Sequence, residues 1–168
     1  MLSIYKPNSK NSGHAAHFSY NPEEKCLFVS MIKQSSWNAQ TKNGSFKQDS
    51  KDPTKSISAK FNAVELGKFI NAFERRVPVN LYHQSDGGSS KINLTPKTSN
   101  NDDGSVSHYF NFTISKSRDL SFYISFDEGE TVALREGLKM CLTNIMKSNI
   151  MKAQEDRKKY GKTTEKRD

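Results

Sequence analysis

Lys91, Asn93, Thr95 and Lys97 stand two residues apart, with Ile92 and Leu94 between them. The same alternation sets Tyr109, Asn111 and Thr113 against Phe110, Phe112 and Ile114, and Ser121, Tyr123 and Ser125 against Phe122, Ile124 and Phe126. A period of two is that of a strand with one buried face. The solvent side of these strands then carries ammonium groups, hydroxyls, amides and phenol rings. Lysine neutralises phosphate, and a flat ring gives an unpaired base a stacking partner worth roughly 1–3 kcal/mol. Hydroxyls and amides bond sugar, phosphate or base edges without demanding one sequence. Ser56, Ser58 and Lys60 form another such face, opposite Ile57, Ala59 and Phe61; Phe28 and Ser30 stand opposite Leu27, Val29 and Met31. Lys60, Lys91 and Lys97 are therefore assigned to phosphate, Tyr109, Tyr123 and Phe28 to base stacking, and Ser58 and Asn93 to polar support. A merely solvated sheet presents a similar face, and the pattern alone leaves both readings open.

Other chemistries find less support. His14 and His17 are three apart, so on one strand they point to opposite faces, and Cys26 and Cys141 have no CxxC partner. No metal or other cofactor is expected. The chain contains no Walker loop, nucleophile elbow or HExxH motif. The carboxylates of "DEGE" (127–130) suit a helix N-terminus, and those of "NNDDG" (100–104) suit a turn. No enzymatic activity is expected. Reading a duplex usually takes a helix in the major groove and Arg bidentate to guanine. Here Lys far outnumbers Arg, and neither predicted helix has a basic face.

The elements that must hold these faces follow from punctuation. Asn62 with Glu65, and Asp127 with Glu130, each form an N-cap and its N3 partner at the end of an alternating run. The two boundaries lie 65 residues apart (127 − 62 = 65), which suggests two similar halves. The expected fold is α+β: two four-stranded antiparallel sheets, each followed by a helix that covers one of its faces. Strands are predicted at 2–6, 13–20, 25–34, 55–61, 79–84, 90–97, 107–115 and 120–126. The helices are predicted from Ala63 to about Arg76 and from Glu128 to about Ile150. Residues 35–54, rich in Lys, Ser and Asn, are expected to form a long polar loop containing Trp37, which either anchors that loop or stacks on a base.

The chain has 168 residues, 26 Lys or Arg and 18 Asp or Glu, giving a net charge of +8, and only 33% of it is apolar. Its mean hydropathy is −0.80. This balance favours anionic partners without requiring them. Residues 147–168 hold eight Lys or Arg and four Asp or Glu, half of the net charge. One domain at 1–150 and a basic, flexible tail at 151–168 are expected. Two distant cysteines fit thiols of a reducing compartment, and no run is apolar enough to span a bilayer. A soluble, intracellular protein is expected, nucleoid-associated or, if phage-encoded, in the host cytoplasm.

Four stretches carry a family resemblance: "HFSYNPEEKCLFVSMIK", "SISAKFNAVELGKFINAF", "SHYFNFTI" and "LSFYISFDEGETVALREGLKMCL". In order, spacing and residue type the chain resembles the Whirly family of plant single-stranded-DNA-binding proteins. More distantly it is similar to the PC4 family of transcriptional coactivators and to mitochondrial guide-RNA-binding proteins. The Lys-Gly-Lys-rich first strand of the plant family is absent; "MLSIYKPN" stands there. The resemblance implies a ββββα unit repeated twice and a homo-oligomer, dimer or tetramer, with the bound strand passing along sheet edges. It also implies a non-enzymatic single-stranded-DNA binder with little sequence preference, protecting or organising exposed strands in replication, recombination or transcription. Single-stranded RNA binding, or a protein-interaction scaffold using the open sheet, are the alternatives.

Overall fold

A computed structural model describes residues 2–47, 52, 54–85, 88–116 and 120–164. Asp86 and Gly87, the middle of the turn expected at "SDGG" (85–88), and the last four residues of the expected tail lie outside them. The described residues form ten strands and two helices, which follow one another as β1 (Leu2–Lys6), β2 (His14–Asn21), β3 (Cys26–Lys33), β4 (Ser36–Asn38), β5 (Asn43–Ser45), β6 (Ser56–Phe61), α1 (Ala63–Arg75), β7 (Val79–Ser85), β8 (Gly88–Asn100), β9 (Val106–Ser115), β10 (Ser121–Phe126) and α2 (Glu128–Thr164). The first sheet has the order β1-β2-β3-β6, the second β10-β9-β8-β7, and β4-β5 forms a separate ribbon. The α+β class stands, but the predicted architecture does not. The described residues run six strands, a helix, four strands and a helix, in sheets of four, two and four strands, and not as ββββα twice.

The ribbon accounts for that correction. It lies inside the stretch read as a loop, where Asn38 Oδ1 accepts from the backbone N–H of Gln40 and Thr41, both at 3.0 Å, and turns the chain. Trp37 faces Gly44 across the ribbon and is half-buried. Gln34, the buried polar side chain at its base, ties it to the body. Its Oε1 accepts from Asn8 N–H at 2.9 Å, and its Nε2 donates to the carbonyls of Asn8 and Ser36, both at 3.0 Å. Gly44 is required there because a Cβ would lie 2.5 Å from Pro7 Cβ.

Both capping boxes form. Asn62 Oδ1 accepts from Val64 N–H and Glu65 N–H, while Glu65 Oε2 accepts from Asn62 N–H. Asp127 Oδ1 accepts from Glu130 N–H at 2.9 Å, and Glu130 Oε2 accepts from Asp127 N–H at 3.0 Å. Arg76 ends α1 in the left-handed region, at φ 53°. Its guanidinium lies 5.2 Å from the Phe110 ring centroid and donates to Lys97 O at 3.0 Å, which braces the start of the β8–β9 hairpin extension.

The helices do not cover one sheet each. The inner faces of both sheets and the buried sides of both helices form a single cluster. Phe18 of β2 meets Phe112 of β9 at 6.4 Å and Phe126 of β10 at 6.0 Å. Phe69 of α1 touches Phe61 of the first sheet at 5.2 Å and Phe112 of the second at 5.9 Å. Burial of these large rings against each other is the main force holding the layers together. Among the residues of α2 whose side chains are described, Ile145 is the last buried one, yet the helix continues to Thr164, beyond the predicted end near Ile150 and into the segment expected as a tail. Among the described residues, no helix is long and apolar enough to cross a membrane.

Candidate functional site

With their inner faces committed to one core, the sheets turn their polar faces outward and away from each other. The eight sequence-assigned residues therefore fall into two groups. Lys91, Asn93, Lys97, Tyr109 and Tyr123 lie on the outer face of the second sheet, and Phe28, Ser58 and Lys60 on that of the first.

On the second sheet, cross-strand register arranges the outer side chains in rows. One row is Tyr82, Lys91, Ser115 and Ser121. The next is Asn80, Asn93, Thr113 and Tyr123. Thr95, Asn111 and Ser125 follow, then Lys97 across from Tyr109. No carboxylate occupies these positions. Lys6, Lys55, Lys60 and Lys139 each hold a carboxylate; Lys91 and Lys97 hold none among the described residues. Tyr123 is 45% exposed, and its phenol O–H donates to Asn111 Oδ1 at 2.7 Å with Ser125 Oγ at 2.6 Å. Those bonds tie the phenol hydroxyl to the sheet while the residue stays exposed. Tyr82 is 60% exposed and directly across from Lys91. The sequence reading did not assign it, although Val79 and Leu81 at inward positions give its parity.

On the first sheet the charge is compensated. Lys60 Nζ sits 2.6 Å from Glu24 Oε2 and donates to it, and that bond is the main reason its pKa is raised. A phosphate would have to compete with Glu24 there. Phe28, across from Lys60, is half-buried. Ser58 Oγ is 2.7 Å from Ser30 Oγ.

Among the described residues, no group of three or more His, Cys, Asp or Glu is placed to hold a metal ion. Cys26 and Cys141 are both free, and burial raises both thiol pKa values. His14 stacks edge-on against Phe122 at 5.8 Å on the inner side, while His17 faces outward, so the two imidazoles do not converge. No family model matches the chain, and no curated protein matches it.

Proposed function

We propose that the chain is a non-enzymatic binder of single-stranded DNA with little sequence preference, and that it protects or organises exposed strands. One observation carries this reading. The outer face of the second sheet combines Lys91 and Lys97 with Tyr82, Tyr109 and Tyr123, and among the described residues the two lysines are unpaired and the outward strand positions hold no carboxylate. Lysines placed across from rings suit a polymer that alternates phosphate with flat bases. The resemblance to Whirly and PC4 proteins enters this proposal through residue type alone, because the twice-repeated ββββα order it implies is not that of the described residues; a homo-oligomer of two or four chains is proposed with it. Competition among oligo(dT), single-stranded RNA of equal length and duplex DNA at one salt concentration tests it. Oligo(dT) is expected to compete best. Tighter binding of RNA would move the assignment to RNA, and failure of all three would favour a protein-interaction scaffold.

A further inference from the structure

The outer face of the first sheet has a different build from that of the second. Its central row runs Ser3, His17, Ser30 and Ser58 across all four strands. Ser3 Oγ lies 2.8 Å from His17 Nδ1, and Ser30 Oγ lies 2.7 Å from Ser58 Oγ. The first of these contacts fixes the imidazole through Nδ1, and Nε2 has no hydrogen bond among the described residues. The neighbouring row is Tyr5, Ala15, Ile32 and Ser56. Ala15 is on the outer face, yet it is only 4% exposed, because Tyr5 and Ile32 rise on either side of its methyl group. The result is a depression of about 140 Å³ with an alanine floor, a tyrosine wall and a polar end formed by His17 and Ser30. Tyr5 is 58% exposed and backed by Phe46, whose ring centroid is 5.5 Å away.

We infer that this depression is a pocket for one unstacked nucleobase, held against Tyr5 with its edge bonded to His17 and Ser30. This rests on the single-strand reading above and adds a second kind of contact to it. The cavity falls well short of the roughly 300–1,000 Å³ typical of clefts for drug-sized ligands, so it suits one ring system and not a whole nucleotide. An apolar wall with a few convergent polar groups is how a flat heterocycle is oriented. The second sheet offers phosphate contacts and open stacking, which are indifferent to sequence. The pocket on the first sheet would meet a base edge, so it supplies a base preference that the second sheet does not.

Backbone amide NMR of the full chain tests the inference, first with each of the four deoxynucleosides and then with oligo(dT). At least one nucleoside is expected to shift the amides of Ala15, His17 and Ser30 saturably. Ala15→Leu, which fills the depression, abolishes those shifts while leaving the response of Lys91 and Tyr123 to oligo(dT). His17→Ala, which keeps the depression open, weakens nucleoside binding about tenfold, near the effect of losing one hydrogen bond. If all four nucleosides leave these amides unmoved while oligo(dT) shifts the second sheet, the pocket is refuted and the single-strand reading stands. If nucleosides shift the pocket but oligo(dT) leaves Lys91 and Tyr123 still, the pocket is supported and the second-sheet assignment fails. If neither probe moves either face, both fail.

Discussion

Tyr82 stands directly across from Lys91 on the solvent side of the second sheet, the ring on an edge strand and the ammonium on its neighbour. A strand lying over this pair would meet a stacking surface and a phosphate contact within one cross-strand step. Tyr82→Ala is expected to weaken oligo(dT) binding by about 1–3 kcal/mol, and Tyr82→Phe to leave it nearly intact. Titration by fluorescence anisotropy checks both. Equal loss in the two variants would mean that the hydroxyl, and not the ring, is used.

Glu24 already occupies Lys60. If phosphate also visits the first sheet, Glu24→Gln should tighten single-strand binding at low salt by removing the competitor. Unchanged affinity would assign Lys60 and Glu24 to the fold alone.

Phe112 contacts Phe18, Phe69 and Phe126, so it joins both sheets and α1. Phe112→Ala is expected to cost about 3–5 kcal/mol. Because the core is a single cluster, urea unfolding of the wild type should be one transition, with the same midpoint by circular dichroism and Trp37 fluorescence. Separate midpoints would show that the ribbon carrying Trp37 unfolds independently.

Two glycines should respond in opposite directions. Gly67 lies within α1, where an added Cβ meets nothing within 4 Å, so Gly67→Ala should stabilise by about 0.5–1 kcal/mol. At Gly44 the Cβ would press on Pro7 and on Gln34, and Gly44→Ala should destabilise by about 1–3 kcal/mol. Urea midpoints read both.

Burial, and secondarily Lys33, hold the His14 pKa below its ordinary value of 6.5. Its Nε2 is buried with no hydrogen-bond partner among the described residues, and Lys6 is its register partner on β1. The unfolded chain then binds this proton more readily than the folded one. The contribution to stability is complete above pH 6.5 and is lost as the pH falls below it, toward the folded value. The melting temperature should drop between neutral pH and the depressed pKa, and His14→Phe should flatten that drop. An identical pH profile in the variant would assign the dependence to other groups.

The four-stranded sheets were legible because each strand has one apolar face, and the helix starts because Asn62–Glu65 and Asp127–Glu130 satisfy free backbone donors in a fixed spacing. The β4–β5 ribbon was not legible. Ser36–Asn38 and Asn43–Ser45 are three-residue strands of mostly polar side chains, too short for a period of two to register. Neither could local spacing reveal that Phe18 reaches Phe112, which joins the sheets back to back and parts Lys60 from Lys91. Nor could it show the Lys60–Glu24 pair, which depends on a turn folding over the neighbouring strand. Tyr82 was available by parity from Val79 and Leu81.

The most direct test of the second-sheet track is the salt dependence of oligo(dT) affinity in the Lys91→Ala, Lys97→Ala double variant. Each lost phosphate contact on a single strand reduces the slope of log affinity against log salt by about 0.7, so the double variant should be shallower by about 1.4. A slope equal to that of the wild type would contradict the account.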